Sequence, residues 1–292
     1  MGFRTVVVNS RCKLECRLHF LVIRGETERR IYLSEINTLI IQSTAVSLTA
    51  ALMAALVQNN IKVIFCDEKC NPLSELLPYY GSYHTSKRVK LQTAWKNETK
   101  AGVWKILIER KILRHSEVLK NFGRFTEAKM LEGYAAEVLA GDKTNREGHA
   151  AKVYFNAMLP EGDTRRSKSF VNGCLNYGYA VLLSAVNREI VADGYITQLG
   201  IRHDNEFNKY NLGSDLMEPL RSVTDETAFL LENEEPAFKR KMANIMNYEA
   251  VFAGKNTTLD IAIRQYVKSV LYAMEENDPS IITFPENVKV VV

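Results

Sequence analysis

Cysteine is scarce in this 292-residue chain: five residues, an odd number. That excludes a disulfide-stapled scaffold and fits free thiols in a reducing cytoplasm. Glycine (15) and proline (7) are too few for a collagen-like chain. No stretch approaches the roughly 20 consecutive apolar residues of a membrane span. The opening MGFRTVVVNSRCKLEC lacks the apolar run and small-residue cleavage site of a signal peptide. No repeat or low-complexity segment interrupts it. What remains is ordinary for a soluble globular protein, with 46% hydrophobic and 25% charged residues, enough for one large or two ordinary domains.

The net charge of +4 hides an uneven distribution. Residues 1–80 carry +2, residues 81–130 carry +8, and residues 131–292 carry −6. A basic segment beside an acidic body suits a polyanionic partner, although a solvated helix face has the same composition.

Periodicity divides the chain at about the same place. Residues 5–8, 38–41 and 61–66 are short β-branched or apolar runs; Leu14, Cys16, Leu18 and Phe20 alternate with polar residues, and residues 29–33 repeat that style. Residues 47–58 predict one short buried helix. Residues 71–84, with Pro72, Pro78 and Gly81, read as a linker. Beyond residue 85, Leu91, Trp95, Val103, Trp104, Leu107, Ile108 and Ile112 recur at helical spacing, with Lys105, Arg110, Lys111 and Arg114 assigned to the solvated faces. Residues 127–139, 148–158, 170–192, 212–221, 226–231 and 259–274 are further helices, and residues 279–292 an extended tail. The expected fold is α+β: a small β-rich N-terminal domain (1–80), a linker and the start of a basic helix (81–100), and a larger all-α domain (101–292).

Four groups of residues carry chemistry. Cys12/Cys16 and Cys66/Cys70 have a four-residue spacing, which within a strand separates the side chains by about 13 Å; that is too far for one zinc ion. In Glu147-Gly148-His149-Ala150-Ala151-Lys152-Val153-Tyr154-Phe155, Thr144 and Glu147 match a capping box. Gly148, a poor helix residue, points to close approach of a ligand or to a packing demand. Gly200-x-x-His203 precedes Ser214-Asp215-Leu216-Met217-Glu218-Pro219-Leu220-Arg221. Ser214 reads as an N-cap, with Asp215 and Glu218 on one helical face. Carboxylates with one imidazole form a hard donor set suited to Mn²⁺ or Mg²⁺. Asn172 and Asn176, with Tyr177, share a helix downstream of the basic Arg165-Arg166-Ser167-Lys168.

The Glu147 motif, the Asn176-Tyr-Gly-Tyr helix, His203 and Asp215-Leu-Met-Glu-Pro-Leu-Arg221 occur in this order behind a β-rich domain. Over essentially the whole chain this combination resembles the large integrase subunit of CRISPR adaptation, most closely the branch found beside type II effectors. The resemblance implies a metal triad of Glu147, His203 and Glu218, the last being Asp in many members. Asp215, Asn176 and Tyr177 would support the site, and Lys87, Arg88, Lys90, Arg165 and Arg166 would face nucleic acid. It also implies Mg²⁺ or Mn²⁺ as cofactor and double-stranded DNA, both captured fragment and repeat, as substrate. Homodimers would form through residues 1–80, and a small companion subunit would complete a heterohexamer in the cytoplasm, away from membranes. The reaction would join 3′-hydroxyl ends of captured fragments to the repeat by transesterification. A stand-alone metal-dependent nuclease on branched or single-stranded DNA and a non-catalytic DNA-binding scaffold are the rival readings.

Overall fold

The computed structural model describes residue 2, residues 4–231 and residues 238–290. The chain divides after Gly81 into two compact units.

The first unit holds two four-stranded sheets. One has the order β1 (Arg4–Val8), β5 (Ile36–Ile41), β7 (Lys62–Cys66), β8 (Pro72–Leu76). Its first three strands run parallel and β8 is antiparallel. The other has the order β4 (Glu28–Tyr32), β3 (Phe20–Arg24), β2 (Cys12–Arg17), β6 (Val46–Leu48). All six residues of β5 are buried, as expected of a strand in the middle of a parallel set. Leu14, Leu21, Leu39 and Val63 share a core with Leu52 and Leu56 of helix α1 (Ala50–Gln58). Thr49 starts that helix by accepting a hydrogen bond from the Leu52 N–H.

Two expectations fail in this unit. The alternation from Leu14 to Phe20 is two strands, because Leu18 and His19 take positive φ (48° and 66°) and close a two-residue hairpin that leaves Leu18 exposed. Residues 72–76 of the expected linker form edge strand β8, where Pro72 at the strand start gives up no ladder bond that a central strand would need.

The second unit is mostly helical: α2 (Thr85–Thr93), α3 (Asn97–Asn121), α4 (Phe125–Ala136), α5 (Arg146–Met158), α6 (Phe170–Ala192), α7 (Asn211–Met217), α8 (Arg221–Leu230), α9 (Phe238–Ala243) and α10 (Leu259–Glu276). Helix α2 begins at Thr85, where the sequence turns helical, and ends at Thr93, before α3 starts at Asn97. Helix α6 is apolar nearly all round and accordingly buried. Its one charged pair, Arg188 and Glu189, is matched by Asp260 and Arg264 of α10. Gly194 (φ +89°) follows the helix end, as the Asp193-Gly194 stop predicts.

The unit is not all-α. Strands β9 (Glu249–Phe252) and β10 (Lys255–Thr258) form an antiparallel hairpin, and the tail bonds to β9 through a Val251–Glu286 bridge. The tail begins with a 3-10 turn at Pro279–Ile281 before it extends, and residues 291–292 lie outside the described residues. Among the described residues, no helix is long and apolar enough to cross a membrane.

Candidate active site

The loop before α7 is built on Asp215. This side chain is fully buried. Its Oδ2 accepts from the N–H groups of Ile201 (2.6 Å) and Arg202 (3.0 Å). Its Oδ1 accepts from the N–H of His203 (3.1 Å) and faces His203 Nδ1 at 2.5 Å. An ionised carboxylate only accepts, so Nδ1 carries the proton and Nε2 is the basic nitrogen of the neutral ring. The hydrogen bond to Asp215, working against partial burial, raises the His203 pKa, and Glu218 and Glu147 add to the effect. Gly200 is needed here, since a Cβ would lie 2.3 Å from the His203 carbonyl oxygen and 2.8 Å from Asp215 Oδ2. Ser214 is not the cap of α7; Tyr210 holds that position and Ser214 lies inside the helix. Gln92 of α2 braces the same loop, donating to the carbonyls of Ile196 and Leu199 (2.9 Å each) and accepting from the Ile196 N–H (3.0 Å).

Glu147 lies in the first turn of α5. The expected capping box does not form. Asp142 accepts instead from the N–H groups of Arg146 (2.8 Å) and Glu147 (3.1 Å), leaving the Glu147 carboxylate free to point elsewhere. A Cβ at Gly148 would meet the end of the exposed Asn145 side chain at 2.8 Å, a contact that a turn of that amide relieves.

The Glu147 carboxylate turns to Lys111 of α3. Glu147 Oε1 and Glu218 Oε2 each lie 2.6 Å from Lys111 Nζ. Lys111 is therefore not on a solvated face; the residue is 8% exposed. Arg221 Nε reaches the same Glu218 oxygen at 2.9 Å. Burial alone would raise the Glu218 carboxyl, but the charges of Lys111 and Arg221 prevail and hold it at about 2. Burial also opposes the Lys111 charge, and Glu218 and Glu147 outweigh it, keeping the amine above its ordinary value.

Among the described residues, no three His, Cys, Asp or Glu side chains form a ready metal cluster. Two carboxylate oxygens nevertheless converge on one positive charge, with the ammonium as a stand-in for a cation. The donor chemistry of Glu147, Glu218 and His203 Nε2 fits a hard divalent ion. Asp215 is committed to the loop, so its role is to orient His203.

The family model described as CRISPR associated protein Cas1 matches residues 5–252. A CRISPR-associated endonuclease Cas1 of Neisseria meningitidis serogroup C (strain 8013) is 31% identical, over 98% of this chain and 97% of its own length. The chain is a member of the Cas1 family. Among solved structures, a casposase bound to integration product superposes with a TM-score of 0.77 at 20% identity, covering 94% of this chain and 91% of that one. A chain of a Cas6-RT-Cas1–Cas2 complex gives 0.74 at 18% identity, covering 99% of this chain and 36% of that one.

In this Cas1 the remaining sequence-predicted residues divide into two groups. Lys87, Lys90 and Arg166 are exposed. Arg88 and Arg165 are committed within the protein: Arg88 pairs with Glu275, and Arg165 donates to Asn172 and to Asn176 (3.0 Å). Tyr177 is buried against Phe238, and Asn176 is exposed. The tyrosine that approaches the site is Tyr179, which donates to Asp225 of α8 and lies under the guanidinium of Arg221, 4.5 Å from the ring centre. Asp225 also faces His115 Nε2 at 3.3 Å, and His115 stacks on Tyr154 at 3.9 Å. Lys111, His115, Tyr179 and Asp225 thus back the site; the sequence reading places Lys111 on a solvated face, holds Tyr179 only as the last residue of the Asn176-Tyr-Gly-Tyr motif, and names neither His115 nor Asp225. One signal was present. Lys111 and His115 continue the helical stripe of Trp104, Leu107 and Ile108, and charge on an apolar stripe demands a buried partner.

Proposed function

We propose that this Cas1 is a metal-dependent DNA endonuclease and integrase of CRISPR adaptation, joining the 3′-hydroxyl ends of captured fragments to a repeat. The convergence of Glu147 and Glu218 on one cationic position, beside a His203 oriented by Asp215, carries this reading. The name of the Neisseria relative supports nuclease chemistry, and the casposase bound to integration product supports strand joining.

Glu147, Glu218 and His203 would hold Mg²⁺ or Mn²⁺, which when bound polarises the phosphate and stabilises the charge on the attacking or leaving oxygen. Transesterification exchanges one phosphodiester for another. A new bond forms from the fragment's 3′-oxygen to phosphorus, the bond to the repeat's own 3′-oxygen breaks, and the hydroxyl proton passes to that leaving oxygen or to water. No covalent enzyme intermediate is needed, so the side chains act by positioning and charge. Asp215 fixes the His203 ring, and Lys111 and Arg221 hold Glu218 ionised. Lys87, Lys90 and Arg166 would neutralise phosphates without reading sequence. Water in place of the 3′-hydroxyl gives cleavage.

Residues 1–80 would form the homodimer. The complex containing a Cas1–Cas2 pair supports a small companion subunit, which would bridge two dimers into a heterohexamer. The five free cysteines suit the cytoplasm.

The test is strand joining. Purified protein, a short duplex with free 3′-hydroxyls and a supercoiled repeat plasmid are incubated with Mn²⁺ or Mg²⁺, with and without the companion. Wild type should join, and Glu147→Ala and Glu218→Ala should abolish joining while leaving DNA binding intact. Joining that survives Glu218→Ala removes that residue from the ligand set. Tight DNA binding without joining by wild type and companion returns the scaffold reading, and companion-independent cleavage without joining the nuclease.

A further inference from the structure

The site of this Cas1 is electrically complete before any metal arrives. Two carboxylates, Glu147 and Glu218, are matched by two cations, Lys111 and Arg221. The two cations are not equivalent. Of the two carboxylates Arg221 pairs with Glu218, from three residues further along the chain. Lys111 comes from α3 and touches both carboxylates with one nitrogen, 2.6 Å from each. Its stem leaves the helix on the face that carries the buried Trp104, Leu107, Ile108 and Ile112, which delivers the ammonium to the two carboxylates. A compact ammonium fits that shared position, whereas the larger planar fork of an arginine does not.

We infer that Lys111 is an internal counter-cation, a positioning residue whose ammonium holds Glu147 and Glu218 together in the metal-free protein and is displaced when a divalent cation takes the carboxylate pair. The inference rests on the metal-site reading above and goes beyond it. Like charges cannot share the position, so metal binding and the Lys111 contact compete. Without Lys111, among the described residues the nearly fully buried Glu218 keeps Arg221 as its ion-pair partner and Glu147 keeps none; the carboxylates repel until a metal replaces the missing charge. The lysine therefore assembles the site in advance and weakens metal binding as the consequence. Glu147 is the more open carboxylate, its side chain 26% exposed against 4% for Glu218, so the displaced ammonium leaves past Glu147.

The experiment uses the full chain. Mn²⁺ binding is titrated calorimetrically for wild type, Lys111→Met and Glu147→Ala, and thermal unfolding is followed in EDTA and in saturating Mn²⁺. Lys111→Met should bind Mn²⁺ at least tenfold more tightly than wild type. It should melt below wild type in EDTA and gain more than wild type on adding Mn²⁺. Should Lys111→Met not fold, a second measurement uses wild type alone. Reductive methylation read by peptide mass spectrometry should find Lys111 protected in EDTA and at least fivefold more reactive with Mn²⁺. If wild type binds Mn²⁺ through Glu147, but Lys111→Met binds no more tightly or Lys111 reactivity is unchanged by the metal, the inference is overturned and the metal site stands. If neither wild type nor Lys111→Met binds Mn²⁺, both fall.

Discussion

Replacing Asp215 by Asn tests the loop that carries His203, and the size of the effect follows from the hydrogen bonds. Four donors meet this one carboxylate: the N–H groups of Ile201 and Arg202 on Oδ2, and the N–H and Nδ1–H of His203 on Oδ1. An amide has one oxygen. Whichever way it is turned, two donors remain satisfied and the other two face an NH₂ that also donates. Hydrogen bonds to charged groups contribute about 1.5–3 kcal/mol each, so losing two in a fully buried position costs roughly 3–6 kcal/mol. A domain stable by about 5–15 kcal/mol survives this, and local opening of residues 201–203 limits the global loss. At roughly 2–4 °C per kcal/mol, Tm should fall by about 10 °C. Urea denaturation gives the global term. Hydrogen exchange should show protection lost at Ile201, Arg202 and His203 while α6 stays protected. Mn²⁺ binding should weaken as well, because nothing then fixes the His203 tautomer. An Asn variant within about 0.5 kcal/mol of wild type, with unchanged exchange in the loop, would refute the assignment of Asp215 as its organiser.

Gly200→Ala attacks the same loop from the backbone: displacing the His203 carbonyl and Asp215 should cost about 1–3 kcal/mol and expose the same three amides to exchange, and a neutral variant would count against the close packing. His115 is neutral in the fold because burial lowers its pKa against the pull of Asp225, with Lys111 of its own helix opposing the charge and Glu218 favouring it. The unfolded chain therefore takes up a proton first as pH falls below about 6.5, and stability should drop by up to about 1.4 kcal/mol per pH unit from there to the folded-state pKa; the stability advantage of wild type over His115→Gln should be constant above that pH and shrink below it, and a flat difference down to pH 5 would sink the assignment. For DNA binding, Lys87→Ala, Lys90→Ala and Arg166→Ala should each flatten the salt dependence by about one phosphate contact, whereas Arg88→Ala, which removes the partner of Glu275, should lower Tm and leave the salt slope unchanged.

The elements legible in the sequence were those whose burial is periodic. Strand β5 reads as apolar because both its faces are covered, and α3 and α6 repeat their apolar residues at helical spacing. The β9–β10 hairpin was invisible for the opposite reason. Lys255-Asn-Thr-Thr258 is polar throughout, and the pairing is decided by the chain reversal at Ala253 and Gly254, both with positive φ. Strand β8 was hidden by Pro72, which marks a loop when read locally and an edge strand once β7 lies beside it.

The same distinction explains the site. Glu147, His203, Asp215 and Glu218 sit in two short motifs, and the family resemblance those motifs carry is what groups them as a candidate set. Their partners are remote: Lys111 lies 36 residues before Glu147, and Tyr179 lies 46 before Asp225. Local patterns there favour the wrong partner, as when Thr144 matches a capping box that Asp142 fills, or when the motif holds two tyrosines and the second, Tyr179, is the one bonded to Asp225. What survives is a rule about conflict. A lysine and a histidine on the apolar stripe of α3 contradict the helix's own pattern. Burying them without partners would cost more than the stripe gains, so each needs a carboxylate from elsewhere in the fold. Lys111 finds Glu147 and Glu218, and His115 finds Asp225. Read this way, the lysine and the histidine on the apolar stripe of α3 mark the helix face against which the site is assembled.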